Sequence, residues 1–292
     1  MAGEETPFRR ILSDFVANPT AVFGLVLLAA ILAVAIAAPL ISPQNPYDLA
    51  QLDVVDGRLP PGAKTDGGTF WLGTDDQGRD MLSAIFYGLR ISLTVGVAST
   101  VAALVLGLAL GLAAAYFGGR TETVIMRIAD IQLSFPAILI ALILLAVLGQ
   151  GMLKIIAALV TVQWAYYART VRSAALVEKR KEYIEAARCL ALSPSRIVFR
   201  HLLPNCLPPL IVVATVQVAA AIALEATLSF LGLGLPITEP SLGLLIANGY
   251  QYLLSGKYWI SFFPGVALLI TIVSINLVAD QLRDVLNPRL QR

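Results

Sequence analysis

Long uncharged apolar runs divide this chain. No Asp, Glu, Lys or Arg occurs from Phe15 to Tyr47, Ile91 to Gly119, Ile131 to Leu153, Leu202 to Leu224, or Tyr258 to Ala279. A bilayer core takes about 20 apolar residues in a helix, so each run predicts a membrane span. A shorter run, Ile155 to Ala168, is bounded by Lys154 and by Arg169 and Arg172. Long basic side chains at a span's ends reach back to the interface, so this run is counted too. The expected fold is an all-α polytopic membrane protein with six transmembrane helices. Ala35-Ile36-Ala37 resembles a signal-cleavage site. The apolar stretch Ala21–Ile41 exceeds the roughly 7–15 residues of a signal core, which favours a retained helix at 19–42.

The connections carry further signals. In the segment 43–89, Ser42 to Thr69 is rich in Pro, Gly and Asp and predicts loop. Met81, Leu82, Ile85, Phe86 and Leu89 then recur at helical spacing, predicting a short amphipathic helix on the outer membrane face. Gly73 to Asp80 precedes it; its carboxylates lack the alternate-position pattern of a calcium loop, so a turn and helix cap are expected. In the second span Ser99, Ala103, Gly107, Gly111, Ala115 and Gly119 fall at every fourth position. Such a stripe lets another helix approach closely, within the chain or across a subunit boundary. In the third, Arg127 and Asp130 stand one turn apart and can pair, and Pro136 predicts a kink. Between the last two spans, Leu242, Leu245, Ile246, Tyr250 and Leu253 suggest a second outer-surface helix, with Tyr250, Tyr252, Tyr258 and Trp259 at the interface.

The segment 178–204 is the most informative. Lys179, Arg180, Lys181, Arg188, Arg196 and Arg200 alternate with Glu178, Glu182 and Glu185, and Glu185 can pair with Arg188 one turn on. Ser193-Pro194 is an N-cap followed by proline at the first helical position. The pattern predicts a helix, a break at 191–193, and a second helix running into span five. Such a knob is either a docking element or a solvated hairpin, and spacing leaves both open.

Composition and charge narrow the classes. The 292 residues are 58% hydrophobic and 14% charged, where an ordinary soluble domain is about 25% charged. Mean hydropathy is +0.78. These values exclude a soluble enzyme, a disordered chain and a disulfide scaffold. The net charge of +2 and the mixed signs of the loop give no nucleic-acid signal. With the N-terminus inside, 15 of the 21 Lys and Arg fall in inner segments, which favours both termini in the cytoplasm. The domains expected are a tail at 1–18, the first span at 19–42, an external segment at 43–89, a core at 90–283 and a tail at 284–292.

Chemistry-bearing residues are few. Glu225 lies inside the fifth span, where it either faces a substrate path or bonds a neighbouring helix. Asn276, Asp280 and Arg283 share a face of the sixth helix, as a gate or as a helix-end pair. His201 is the only histidine and has no partner at catalytic or metal-ligand spacing, and Cys189 and Cys206 suit packing, so no catalytic and no metal site is expected. Gly256-Lys257 is followed by Tyr258, so no phosphate-binding loop is present. A proton-coupled transporter usually carries several intramembrane ionisable groups; this chain has essentially Glu225.

Glu185-Ala186-Ala187 followed by Leu203-Pro204 resembles the EAA loop of ABC-importer permeases, with Ala191 at the family's Gly position and His201 at its Ile position. The likeness extends through Tyr183-Ile184, Gly73–Asp80, Ser229-Phe230-Leu231-Gly232-Leu233-Gly234 and Leu282–Arg289. Taken together the chain resembles the C-type permease subunit of dipeptide, oligopeptide and nickel importers. That resemblance implies a type I importer fold in a bacterial cytoplasmic (inner) membrane. It implies a B-type permease partner, two cytoplasmic ATPase subunits that hold ATP and Mg, an external substrate-binding protein, and no cofactor in this chain. It also implies that Tyr183, Ile184, Glu185, Ala186, Ala187, Arg188, Ala191, Ser193 and Arg196 form the element that couples to an ATPase. Ala191 matters, because Gly takes a left-handed turn freely and Ala does not.

Overall fold

The computed structural model describes residues 13–65 and 68–286. Residues 1–12 of the tail expected at 1–18, and 287–292 of the tail expected at 284–292, with Asn287-Pro288-Arg289 of the last motif, lie outside them. Helix α1 (Pro19–Ile41) starts at Asn18, whose side chain accepts from the Thr20 amide at 3.0 Å. A two-stranded hairpin follows, β1 (Ala63–Thr65) against β2 (Gly68–Phe70). Then come α2 (Met81–Phe117), α3 (Gly119–Leu133), α4 (Ala137–Leu148) and α5 (Met152–Glu178). The short α6 (Glu182–Cys189) leads to α7 (Pro194–Phe230), and α8 (Leu242–Tyr250) and α9 (Trp259–Leu286) complete the described chain.

Four of these, α1, α2, α7 and α9, are long and apolar enough to cross a membrane. The pair α3 and α4 makes a fifth candidate if counted as one crossing bent by 91°. So the kink expected at Pro136 is a full break: Ser134 and Phe135 close the α3 end, and Pro136 cannot donate into a continuing helix. Helix α5 spans 27 residues but is too polar along its length to be counted with the apolar spans.

The separate interfacial helix expected at 81–89 is not formed. Met81 to Phe117 is one helix of 37 residues, because Asp80 caps its start and nothing between Leu89 and Ile91 breaks it. Met81, Ile85 and Leu89 are buried in the core with Ile222, Leu242 and Trp259, so this face packs against protein. The small-residue stripe of α2 meets α5 of the same chain. A Cβ on Gly107 would stand 2.5 Å from the Trp164 carbonyl oxygen, and one on Gly111 2.7 Å from that of Ala168. Close backbone approach of this kind is what small residues permit in a bilayer, where apolar surface alone gives helices little reason to associate.

Helix α8 does form, but its Leu242, Gly243, Leu244 and Leu245 are buried, and a Cβ on Gly243 would stand 2.3 Å from the Ala226 carbonyl oxygen. It is wedged into the bundle. Trp259, expected at the interface, is buried too, and its indole donates to the Thr74 carbonyl at 3.2 Å. The start of α1 is tied to the end of α9: Asn18 Nδ2 donates to Gln281 Oε1 at 2.6 Å, and Gln281 Nε2 to the Asp14 carbonyl at 3.1 Å.

Candidate functional site

The knob between α5 and α7 is built on a small apolar core. Ile184 and Ala187 of α6 are buried with Ile197 and Leu202 of α7, and Tyr116, Leu192 and Val198 close the cluster. Helix α6 carries Glu182 and Glu185 in its first turn and Arg188 in its last, which suits the helix dipole. The turn after it is tight. The Leu192 amide donates to the Ala187 carbonyl at 3.1 Å and Ala191 takes φ 52°. This is the left-handed C-terminal turn that glycine favours, with Leu192 packed back beneath the helix. Ser193 occupies the N-cap position of α7 by its backbone, since the Ile197 amide donates to its carbonyl at 3.1 Å, but its hydroxyl makes no cap bond.

A π-helical stretch, Ile197–Leu202, opens α7, and the Leu203 amide reaches back to the Val198 carbonyl. Pro204 has no amide to donate to Arg200, which accounts for the locally widened turn.

Outward from this core, Tyr183, Glu185, Ala186, Arg188, Ser193 and Arg196 are exposed. Leu190 and Phe199 stand out as apolar side chains, 74% and 66% exposed. Ala187 points inward, so close approach by a partner at this helix falls to Ala186. The expected Glu185–Arg188 pair is not among the ion pairs of the described residues. His201 is half-buried, its ring 6.4 Å from that of Tyr183.

Polar contacts missed by the sequence reading lie under the knob. Glu178 accepts from Lys181 Nζ at 2.7 Å and from the Tyr183 hydroxyl at 2.8 Å, and that hydroxyl accepts from Asn205 Nδ2 at 3.1 Å. Burial and the Glu178 carboxylate hold the Tyr183 phenol up at about 12. Lys179 Nζ donates to the carbonyls of Ala115 and Tyr116, and burial lowers its pKa. The i,i+3 spacing of Glu178 and Lys181 was the one legible trace of this network. Nearby, Asp130 of α3 pairs with Arg169 of α5 at 2.5 Å rather than with Arg127, and Glu122 pairs with Arg172. An open cavity of about 870 Å³ is bordered by Arg169, Glu178, Asn205, Pro208 and Arg283.

The remaining candidates sit apart. Glu225 is fully buried, and its carboxylate accepts from Ser92 at 3.0 Å and from Ser229 at 2.7 Å, so it joins α2 to α7 and lies apart from the open cavity beside Arg169 and Arg283. Asn276, Asp280 and Arg283 are exposed, and Asp280 and Arg283 do not form an ion pair. Among the described residues no group of three or more His, Cys, Asp or Glu is placed to hold a metal ion.

The Gly73–Asp80 segment is a buried turn and cap. Asp75 Oδ1 accepts from the Gln77 amide at 2.8 Å and the Arg79 amide at 2.9 Å; Asp80 accepts from the Ser83 amide at 2.8 Å. Arg79 is buried, bonds Gln77, donates to the Ile237 carbonyl at 2.8 Å and lies 3.6 Å from Asp75. Desolvation lifts the Asp75 carboxyl to about 6, with Arg79 opposing the shift.

Residues 106–292 match the protein family described as binding-protein-dependent transport system inner membrane component. Residues 6–61 match the N-terminal TM domain of oligopeptide transport permease C. The chain is 40% identical over 289 residues to the dipeptide transport system permease protein DppC of Escherichia coli (strain K12), covering 98% of this chain and 95% of that one. It is 37% identical over 278 residues to the oligopeptide transport system permease protein OppC of Bacillus subtilis (strain 168), covering 95% and 88%. A solved inward-facing conformation of the MetNI methionine ABC transporter matches its fold with a TM-score of 0.57 at 24% identity, over 71% of this chain and 98% of that chain.

Proposed function

This chain belongs to the family of binding-protein-dependent transport system inner membrane components, and from that membership we propose that it is the C-type permease of a peptide importer. It is a multi-pass membrane subunit of an ABC importer, and ATP hydrolysis belongs to separate subunits. With a B-type permease it forms the path for dipeptides or oligopeptides delivered by an external binding protein. Two ATPase subunits bind ATP and Mg in the cytoplasm, and this chain carries no cofactor. Its place is the bacterial inner membrane, in contact with lipid.

The observation that carries the mechanism is the two-sided knob. Its inner face is a closed apolar core, while Glu185, Ala186, Arg188, Leu190, Ser193 and Arg196 are left outside without a partner core of their own. Exposed apolar side chains such as Leu190 and Phe199 on a charged loop suit a protein partner. Docked on an ATPase, the knob would pass nucleotide-driven closure to the spans and bias the permease between its two states. Six crossings, counting the bent α3–α4 pair and α5, fit the charge-free runs. The Asn18–Gln281 bond and the 15 of 21 basic residues on one side support both termini in the cytoplasm. In this reading Glu225 serves the packing of α2 on α7, and the path is lined elsewhere.

The test is reconstitution of both permeases, the ATPases and the binding protein in proteoliposomes, with radiolabelled dipeptide outside. Uptake is expected only with ATP inside and every component present. Uptake without the ATPases, or of a nickel chelate in place of peptide, would refute the assignment.

A further inference from the structure

We infer that Glu178 and Lys179 are positioning residues that fasten α6 to the inner ends of α2, α5 and α7, so that the four move as one body. The inference rests on the reading of the knob as the ATPase-docking element. It concerns what happens behind that surface: α6 is eight residues long and joined to its neighbours by short irregular segments. A push on such a helix reaches the spans only if its mounting is stiff.

Two adjacent residues at the end of α5 supply that mounting in opposite directions. Lys179 Nζ donates to the Ala115 carbonyl at 2.8 Å and to the Tyr116 carbonyl at 2.9 Å. These carbonyls belong to the last turn of α2, which has no intrahelical donors left for them. A cation there also meets the negative end of the helix dipole. The same ammonium stands 5.8 Å from the centre of the Tyr116 ring. Glu178 reaches the other way. It holds Lys181 and Tyr183 at the start of α6, and Tyr183 in turn holds Asn205 of α7. Tyr116 completes the loop by packing with Ile184, Ala187 and Leu202. Ion pairs and hydrogen bonds partly removed from water resist being pulled apart more than the same groups would on an open surface.

The reach of the clamp is set by α2. Its 37 residues extend about 55 Å at ~1.5 Å per residue, from Tyr116 to Met81 beside the buried external turn. A displacement of α6 held to α2 would therefore be carried to the outer face by a single rigid element, with α5 locked alongside at Gly107 and Gly111.

The test uses the assembled transporter with spin labels at the exposed Cys189 on α6 and at Phe117→Cys on α2, in a Cys206→Ser background. Distances are read without nucleotide and after trapping with ATP and vanadate, so no transported ligand is needed. With Lys179 and Tyr183 intact the distribution should be narrow and unchanged between the two states. Lys179→Met and Tyr183→Phe should each broaden it, and Lys179→Arg should restore it. Lys179→Met should also lower radiolabelled dipeptide uptake about 5- to 150-fold, the range of a typical coupling energy, with basal ATPase activity retained. A distribution that stays narrow in both Lys179→Met and Tyr183→Phe overturns the clamp. Failure of the docking reading shows separately, as ATPase subunits that still co-purify and respond when Glu185→Arg and Ala186→Trp are combined.

Discussion

Ala191 holds φ 52° in a turn that glycine would adopt without strain. A left-handed conformation costs an L-residue with a Cβ roughly 1–2 kcal/mol. Here the Leu192 amide bond to Ala187 and the packing of Leu192 under α6 offset that cost. Ala191→Gly relieves the strain but adds freedom to the unfolded chain, so the net gain should be no more than about 1 kcal/mol. Slower hydrogen exchange of the α6 amides would register it, and faster exchange would contradict it. Asp75 gives a second expectation at this scale. Its carboxyl is lifted from 3.8 to about 6 by burial. The folded turn therefore keeps a proton that the unfolded chain releases. This stabilisation is fully present below about pH 4 and is lost as pH rises through 6, a difference of no more than about 3 kcal/mol. Thermal unfolding from pH 4 to 7 should show that slope in the native chain and lose it in Asp75→Asn. The exposed residues of the candidate site were legible because helical spacing and the Ser-Pro cap set their order. The roles of Lys179 and Asn205 were not, because their partners Ala115, Tyr116 and Tyr183 lie on other helices.

At the scale of elements, charge-free runs located the four long apolar helices α1, α2, α7 and α9, since the bilayer excludes charge more strictly than any propensity acts. They were poorer at boundaries. The helical spacing of Met81 to Leu89 predicted a separate helix, yet the single exposed Arg90 before the charge-free run interrupts neither the hydrogen bonding nor the packing of α2. Pro136 was visible, but whether a proline bends a helix or ends it depends on what α5 and α7 leave room for. The stripe on α2 was legible, and its partner, α5, was not. Gly111→Leu should force α2 and α5 apart at the Ala168 carbonyl, an overpacking that costs roughly 1–3 kcal/mol. A lower melting temperature of the purified complex in detergent is the expected reading. An unchanged melting temperature would mean that the helices part freely there. The same change at Gly256, where nothing lies within 4 Å, should cost less, chiefly through its positive φ.

For the whole molecule, the proposed function makes the Gly73–Asp80 turn, the bundle and the knob one mechanical series. Arg79 and Trp259 bind the Gly73–Asp80 turn to one end of the bundle, Glu225 and the glycine contacts hold its centre, and Lys179 bonds the end of α2 beside the knob. The central claim is that ATP hydrolysis in partner subunits is linked to this series through the exposed face of α6. The most direct measurement is the ATPase rate of the transporter in proteoliposomes, with and without dipeptide-loaded binding protein, for the native chain and for Glu185→Arg combined with Ala186→Trp. Both substitutions fall on exposed positions, so insertion and pairing of the permeases should persist. The account predicts that the native transporter is stimulated by the loaded binding protein and that the double variant, though assembled, is not. Full stimulation in the double variant would contradict it.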